Sequence, residues 1–353
     1  MVVKKIAVLG LGLIGASLAK AIRTAFPDVL IAGFDLPETV EKALNLKVID
    51  KRLDATSEAL NSDLIFLCLP VNLSIKVFGE LILSLSENQI ISDVCSVKGI
   101  FQEIWNSSTS RGTYIGGHPM TGKEKGGLDN SDPLLFENSV YIITKEDEIL
   151  LNILNKIGAR VAVLDPFLHD KVVSVVSHLP QLLSVNLVNF AANCKDKVNY
   201  IDFAAGGFRD MTRIATSDYK IWESIIANNK GNIVRAIDLF VDKLNEIKTA
   251  VINDEHYSLN ESFNEARIHR EEIPKTSKGF LIPLHEIYVF VKDEPGVVSK
   301  ISTILFSNGI NIKDIELLKI REGTGGTFRL SFESEEDAKK AQELMSSIGY
   351  NTK

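Results

Sequence analysis

The sequence KIAVLGLGLIG, residues Lys5–Gly15, decides the fold of the N-terminal half of this 353-residue chain. The apolar run after Lys5 predicts a buried parallel strand, and the pattern after Gly15 predicts a helix. A G-x-G-x-x-G pattern between a strand and a helix predicts a turn that binds a dinucleotide, with the pyrophosphate at the helix N-terminus. The predicted cofactor contacts in this turn are Gly10, Gly12, Leu13, Ile14 and Gly15.

Asp35 predicts which dinucleotide binds. It follows a second predicted strand, Val29–Phe34, and lies twenty residues after Gly15. A carboxylate at this position accepts a hydrogen bond from the ribose 2′-hydroxyl group of NAD. Leu36 and Pro37 come next, so no adjacent arginine is available for the 2′-phosphate of NADP. We therefore expect NAD as the cofactor. The alternative, a glycine-rich turn beside a solvated aspartate, does not explain why the two features are in register.

Strands and helices continue to alternate up to about residue 165. The predicted strand at residues 63–69 breaks at Pro70, and the strand at residues 90–93 leads to Ser96 and Lys98. Ligands bind at the carboxyl ends of strands in open α/β sheets, so Pro70 and Ser96 are predicted to contact the cofactor. Alone, a serine and a lysine here are more often a helix cap and a surface residue.

The sequence GGHPMTGKE, residues Gly116–Glu124, contains the candidate proton acceptor. A predicted strand, Thr113–Ile115, runs into two glycines that let the backbone approach a bulky group. Pro119 favours an extended conformation at His118. An imidazole held on a stiff loop suits general-base catalysis. The alternative is a buried histidine at the end of a strand.

Residues 167–270 show helical periodicity and few strand signals. His178 lies on an apolar face, where a histidine is by default a hydrogen-bonded core residue, and Pro180 is predicted to start or kink a helix. This much helix with apolar faces beside a nucleotide-binding domain predicts a homodimer built from interdigitating helices.

A Gly-Gly turn at residues 206–207 is predicted to open a helix that carries Arg209, Asp210 and Arg213. The two arginines are four residues apart and are expected to share a helix face, where they repel unless an anion joins them. Asp210 serves one of them, and a dianionic substrate is predicted to serve the other. The alternative is a face of internal salt bridges. Trp222 either caps the pocket or packs in the core.

The composition limits the partners and the compartment. A net charge of −7 without a basic block argues against nucleic acid as a partner. Cys68, Cys95 and Cys194 are too far apart for a disulfide framework or a metal site, so we expect no metal and a reducing cytoplasm. The apolar run within Met1–Ala19 is interpreted as folded structure rather than a signal peptide. No other apolar stretch is predicted to span a membrane.

The last segment of the chain predicts a small α+β domain. After a polar linker at residues 272–279, the predicted elements follow the order βαββα and end in a short strand. This order is ferredoxin-like.

Together these segments resemble the bacterial prephenate dehydrogenases, of the prephenate/arogenate dehydrogenase family, with a C-terminal ACT domain. The motifs that carry the resemblance are the glycine turn, DVCSVK at 93–98, GHPMTGKE at 117–124, SHLP at 177–180 and GGFRDMTR at 206–213. The resemblance implies an α/β Rossmann-like NAD-binding domain at 1–165, an all-α substrate and dimerisation domain at 166–274, and an α+β ferredoxin-like ACT regulatory domain at 283–353.

The resemblance implies oxidative decarboxylation of prephenate to 4-hydroxyphenylpyruvate in tyrosine biosynthesis, with hydride transfer to NAD. It implies that His118 accepts the proton of the ring hydroxyl group, that Ser96 hydrogen-bonds this hydroxyl and the histidine, and that Arg213 binds a substrate carboxylate. Aromatisation drives the reaction, so the protein mainly positions substrate and cofactor. Further residues at predicted substrate positions are Glu124, Asp210, Trp222 and His178.

Gln181 departs from the family pattern, because many relatives have a second histidine at this position. A neutral amide both donates and accepts hydrogen bonds, so it suits the keto group of prephenate or the amino group of arogenate. Arogenate dehydrogenase is therefore the first alternative function. The others are a sensor without catalysis that binds NAD and an amino acid, and a hydroxyacid dehydrogenase of the 6-phosphogluconate group. The last would need a catalytic lysine in the helical domain and leaves the ferredoxin-like tail unexplained.

The ACT resemblance implies feedback control by an amino acid, most simply tyrosine. Backbone N–H groups at the turn that precedes the first helix of this domain are predicted to hold the effector's carboxylate, and a facing copy is predicted to bind its ammonium group. The predicted effector contacts are Asp293, Pro295 and Gly296 on one copy and Asn308 and Asn311 on the other. The alternative is a domain that only dimerises.

Overall fold

The structure is a computed structural model that describes residues 3–123, 125–194, 197–272, 284–321 and 325–353. The chain divides into two compact units, Met1–Ile273 and Pro274–Lys353. The first unit contains the predicted nucleotide-binding and helical segments, and the second contains the predicted ferredoxin-like segment. The predicted fold class is confirmed.

The first unit is organised around one mainly parallel sheet. Its strands are β1 (Lys5–Leu9), β2 (Leu30–Phe34), β3 (Lys51–Arg52), β4 (Leu64–Leu67), β5 (Ile90–Asp93), β6 (Thr113–Pro119), β7 (Val140–Ile143) and β8 (Arg160–Val163). They lie in the order β3-β2-β1-β4-β5-β6-β7-β8. The order changes direction between β1 and β4, the switch point at which doubly wound sheets bind nucleotides.

Helices on both faces of this sheet explain why β1 is apolar at every position after Lys5. The connecting helices are α1 (Leu13–Ala25), α2 (Pro37–Asn45), α3 (Val71–Leu81), α4 (Gly99–Asn106) and α5 (Glu148–Lys156). Ile6 and Val8 belong to one buried cluster with α1, whereas Ala7 and Leu9 belong to a second cluster with α3. Alternate residues of a strand point to opposite faces, so both faces of β1 are buried.

β6 is longer than the sequence predicts, because the chain stays extended through Gly116, Gly117 and His118 to Pro119. β7 pairs antiparallel with this extension and places His118 opposite Ile142. A side chain at Gly117 would lie 2.5 Å from the backbone oxygen of Asp93. The bulky group that Gly117 accommodates is therefore the neighbouring strand β5 of the protein itself, and His118 lies on a strand rather than on a loop.

A continuous helical run, Pro166–Asn193, joins the sheet to the helical part of the first unit. It consists of α6 (Pro166–Val173), one π-helical turn (Ser174–His178) and α7 (Leu179–Asn193). Pro180 lies in the first turn of α7, as predicted. By length and composition the run could cross a membrane, although 33% of its most apolar window is buried. The expectation that no further stretch is long and apolar enough to do so is therefore wrong for this segment.

The rest of the first unit is helical, as predicted. Its helices are α8 (Gly206–Thr212), α9 (Tyr219–Asn228), α10 (Lys230–Ile252) and α11 (His256–Glu272). α8 ends at Thr212, and Arg213 begins a 3₁₀ turn that runs to Thr216. The expectation that Arg209 and Arg213 share one α-helical face is therefore wrong, because the helix is too short to include both.

The second unit has the predicted ferredoxin-like order. Its elements are β9 (His285–Val291), α12 (Val297–Ser307), β10 (Asp314–Arg321), β11 (Gly325–Phe332), α13 (Glu335–Ser347) and β12 (Asn351–Thr352). The sheet order is β10-β11-β9-β12, with antiparallel pairing throughout. Most of the predicted linker lies outside the described residues.

Candidate active site

A cavity of about 1220 Å³ opens at the carboxyl ends of β1, β2, β4 and β5, and α9 closes part of its wall. Its lining includes Asp35, Pro70 and Ser96, as well as the loop that precedes α1. Every predicted cofactor residue except Gly15 lines this cavity.

The glycines of the first turn have three different roles. A side chain at Gly10, where φ is +101°, would lie 2.4 Å from the backbone oxygen of Cys68. At Gly15 it would lie 1.9 Å from the oxygen of Gly10, so this glycine is needed for the helix to pack against the turn. At Gly12 nothing lies within 4 Å. The backbone at Gly12 therefore faces open space, into which a pyrophosphate group fits.

Asp35 is fixed by the backbone around it. Its two carboxylate oxygens accept hydrogen bonds from the N–H groups of Leu11 and Leu36, each 2.6 Å long. Arg52 lines the same cavity, although the sequence has no arginine adjacent to Asp35, because β3 pairs with β2 and places Arg52 opposite Gly33. The guanidinium Nε of Arg52 lies 2.7 Å from the carboxylate of Asp54.

His118 is buried and hydrogen-bonded to a second histidine. Its Nδ1 lies 2.8 Å from Nε2 of His169, and Nδ1 of His169 lies 2.8 Å from Oδ1 of Asp170. Burial, and next the neighbouring His169, hold the pKa of His118 well below 6.5. His118 is therefore neutral at physiological pH, which is the form that accepts a proton.

The prediction did not include His169 and Asp170. Both lie in α6, more than fifty residues after His118 in sequence. The available signal was an adjacent His-Asp pair in the first helix after the nucleotide-binding segment. Burial also lowers the pKa of His169, although Asp170 opposes this shift.

Lys98 is completely buried and forms an ion pair with Asp93, so it is not the surface lysine that its position alone suggests. Asp93 also accepts hydrogen bonds from the backbone N–H of Cys95 at 2.8 Å and from the hydroxyl group of Tyr114 at 2.9 Å. The positive charge of Lys98 contributes to the lowered pKa of His118. Lys98 thus helps to keep the neighbouring imidazole neutral.

A buried polar stripe runs along the start of α7. His178, Gln181 and Ser184 are three residues apart, all are at most 5% exposed, and they share a helix face. Gln181 donates a 2.9 Å hydrogen bond to the carbonyl oxygen of Ile214 and so ties the 3₁₀ turn of Arg213 to this helix. Nε2 of His178 and Oγ of Ser184 are buried without a hydrogen-bond partner among the described residues. Buried polar atoms of this kind indicate a ligand or solvent site.

The amide group of Asn229 selects the protonation form of His178. Its Nδ2 donates to the carbonyl oxygen of Asp170 at 2.8 Å and lies 3.3 Å from Nδ1 of His178. Burial lowers the pKa of His178 to about 4. The neutral ring accepts a hydrogen bond at Nδ1 and carries its proton on Nε2, which is the unpartnered atom.

The remaining predicted substrate residues lie around α8 and α9. Trp222 contacts His178 edge-on, with 5.9 Å between the ring centroids, so it packs against the polar stripe. Arg213 and Asp210 are exposed in the single chain. Glu124 lies outside the described residues.

In the second unit, a cavity of about 240 Å³ lies beside the turn that precedes α12. Asp293 and Gly296 line it, and Gly296 has the left-handed conformation that glycine favours, with φ of +87°. Pro295, Asn308 and Asn311 are not part of its lining. The prediction assigned the two asparagines to a facing copy.

Three family models match the chain. The nucleotide-binding domain of prephenate dehydrogenase matches residues 18–163, the dimerization domain of that enzyme matches 165–265, and the ACT domain matches 285–349. The chain is 35% identical over 348 residues to the prephenate dehydrogenase of Bacillus subtilis (strain 168), which covers 95% of this chain and 94% of that relative. The chain belongs to the prephenate dehydrogenase family.

Solved structures that are similar to the chain include two dehydrogenases. Prephenate dehydrogenase from A. aeolicus, in complex with hydroxyphenyl propionate and NAD+, has a TM-score of 0.71 and 31% identity, and the match covers 78% of this chain and 99% of that one. Synechocystis arogenate dehydrogenase has a TM-score of 0.67 and 28% identity, with 76% and 100% covered. This member of the prephenate dehydrogenase family is an NAD-dependent dehydrogenase, and the predicted cofactor is confirmed.

The cavity of this family member fits NAD. The open backbone at Gly12 and the N-terminus of α1 suit the pyrophosphate, and the carboxylate of Asp35 suits a ribose hydroxyl group. When bound, NAD supplies the hydride acceptor. Ser96 follows β5 and lines this cavity, and β6 pairs with β5 so that Asp93 lies opposite Gly116.

Proposed function

We propose that this protein catalyses the oxidative decarboxylation of prephenate to 4-hydroxyphenylpyruvate, with NAD as the oxidant, in tyrosine biosynthesis. The observation that carries the proposal is the buried, neutral His118 near the carboxyl end of β6, whose ring is hydrogen-bonded to His169. A dehydrogenase of this kind needs a base for the hydroxyl proton, and a neutral imidazole supplies it.

In this proposal His118 acts twice. Its Nε2 takes the proton of the ring hydroxyl group as the carbinol carbon gives up a hydride to NAD. The bond to the ring carboxylate then breaks, carbon dioxide leaves, and the electron pair enters the ring, which becomes aromatic. The phenolate oxygen takes the proton back from His118, so the histidine returns to its starting form. Ser96 orients the hydroxyl group between the histidine and the cofactor.

Arg213 and the buried stripe of α7 are proposed to bind the side chain of the substrate. Gln181 connects the two, because its amide group holds the turn that begins with Arg213. A guanidinium group pairs with a carboxylate, and the unpartnered Nε2–H of His178 suits a carbonyl oxygen. Asp210, Trp222 and Glu124 are proposed to shape the same pocket.

Arogenate is the second candidate substrate, and Gln181 is the observation that favours it. The amide nitrogen of Gln181 already donates to Ile214, so its oxygen is the atom left to accept a hydrogen bond. An acceptor suits the ammonium group of arogenate. The nitrogen retains a second N–H, however, which suits the keto oxygen of prephenate, so turnover of the two substrates decides between them.

The proposal includes a homodimer and feedback control by tyrosine. α10 carries a row of exposed apolar side chains that a second copy would bury: Val234, Ile237, Val241 and Leu244. The turn at Asp293 and Gly296 is proposed to bind the effector's carboxylate, with Asn308 and Asn311 of a facing copy at its ammonium group. A cytoplasmic location follows from a biosynthetic role of this kind and is part of the proposal.

Formation of NADH with prephenate, arogenate and a panel of hydroxyacids tests the proposal. We expect turnover with prephenate, and a loss of about 100-fold or more in kcat for His118→Asn with cofactor binding intact. Turnover of a hydroxyacid but of neither cyclohexadienyl substrate would overturn the assignment. So would a fully active His118→Asn enzyme.

A further inference from the structure

Asp170 begins a hydrogen-bonded chain that ends at the candidate base. Its Oδ1 accepts from the backbone N–H of Lys98 at 2.7 Å, and its Oδ2 accepts from that of Gly99 at 2.8 Å. These two N–H groups stand at the start of α4, where a carboxylate is favoured. Both oxygens therefore act as acceptors, and Nδ1 of His169, 2.8 Å from Oδ1, must carry the proton in that contact.

This contact determines the tautomers of both histidines. A neutral His169 with its proton on Nδ1 has an acceptor at Nε2. Nδ1 of His118, 2.8 Å away, must then donate. A neutral His118 that donates from Nδ1 has a bare electron pair on Nε2. The opposite tautomer would carry a proton on Nε2 and could not accept another one.

We propose that His169 and Asp170 are positioning residues that hold His118 in the tautomer with a free Nε2, and so keep it ready to accept the substrate's hydroxyl proton. The inference rests on the proposed role of His118 as the base. The same chain stabilises His118 after it has accepted the proton, because Nδ1–H continues to donate to His169, which Asp170 polarises. Neither residue touches the substrate in this arrangement.

The variant Asp170→Asn separates a positioning role from a structural one. With its oxygen in the place of Oδ2, an asparagine still accepts from the N–H of Gly99, and its NH₂ group, in the place of Oδ1, gives up the bond from Lys98 and can donate to Nδ1 of His169. This moves the proton of His169 to Nε2 and puts His118 in the wrong tautomer. We expect kcat for the better cyclohexadienyl substrate to fall by about 100-fold, with little change in KM.

The variant His169→Gln supplies the matched control. The oxygen of a glutamine can accept from Nδ1 of His118 without help from Asp170, so we expect it to retain within about tenfold of the wild-type kcat. The double variant Asp170→Asn/His169→Gln should then be faster than Asp170→Asn alone, because a glutamine needs no carboxylate to set its orientation. A purely structural role for Asp170 predicts instead that the double variant is no better than the single one.

Nitrogen-15 NMR of the imidazole rings reads the tautomer without any turnover. In the wild-type protein we expect His118 to be protonated on Nδ1, and in Asp170→Asn we expect the signal of the Nε2–H form. A wild-type His118 protonated on Nε2, or an Asp170→Asn protein with unchanged kcat, would overturn the inference. A fully active His118→Asn protein with the expected tautomers would instead refute only the proposed role of His118.

Discussion

Replacing Lys98 with methionine should destabilise the first unit far more than the loss of an ordinary ion pair. Lys98 and Asp93 are both completely buried, and the ammonium group of Lys98 lies over the ring of Phe101, with Nζ 5.2 Å from the ring centroid. Methionine keeps most of the side-chain volume. Among the described residues, this leaves the Asp93 carboxylate with the donors from Cys95 and Tyr114, and an uncompensated buried charge of this kind costs about 3–5 kcal/mol.

The double variant Asp93→Asn/Lys98→Met tests the cause. An asparagine oxygen can still accept from Cys95 and Tyr114 but carries no charge, so we expect the double variant to recover about 2 kcal/mol or more relative to Lys98→Met. Lys42→Met is the control, because Lys42 pairs with Asp129 at an exposed site where an ion pair contributes about 1 kcal/mol or less.

Urea unfolding followed by tryptophan fluorescence measures these differences. Trp105 and Trp222 are the two tryptophans of the chain and both lie in the first unit, so the signal reports on that unit alone. The reasoning fails if the losses in free energy of unfolding caused by Asp93→Asn alone and by Lys98→Met alone simply add in the double variant. It also fails if Lys98→Met unfolds at the same urea concentration as Lys42→Met.

Four other outcomes are expected. Asp35→Ser should raise the ratio of NADP to NAD turnover, because a carboxylate repels the 2′-phosphate; equal wild-type use of both cofactors would contradict the role of Asp35. Arg213→Gln should raise KM about 30-fold, equivalent to about 2 kcal/mol, with a small change in kcat, and a loss of stability at constant KM would instead support a salt-bridge role. Truncation after Lys278 should leave dehydrogenase activity and abolish inhibition by tyrosine, and full-length enzyme that ignores millimolar aromatic amino acids would leave the ACT unit only a dimerising role. Stability should fall as the pH drops from 6.5 towards 4, because His178 takes up a proton in the unfolded chain but stays neutral in the folded one, where its pKa is about 4. This histidine alone should lower the free energy of unfolding by about 3 kcal/mol at pH 4 relative to neutral pH. A urea midpoint that is unchanged between pH 7 and pH 5 would refute the assignment.

The sequence predicted those parts of the site that short segments of chain build by themselves. A strand, a glycine turn and a helix are continuous in sequence, so the spacing of Gly10, Gly12 and Gly15 and the distance to Asp35 were sufficient to predict the cofactor cavity. The order of elements after residue 284 likewise reflects local periodicity, and the ferredoxin-like sheet agrees with it. The strand that carries His118 was predicted too short, because β7 pairs with residues 117–119 and keeps them extended.

Only the tertiary structure brought together the groups that determine the chemistry of His118. His169 and Asp170 reach it from α6, Lys98 is drawn inward by Asp93, and Arg52 enters the cofactor cavity because β3 pairs with β2. Contacts between residues far apart in the chain leave no periodic pattern, so their presence could not be predicted from any one segment. Burial has the same origin: the pKa of an imidazole depends on which atoms surround it, and those atoms come from strands and helices that meet only in the folded protein.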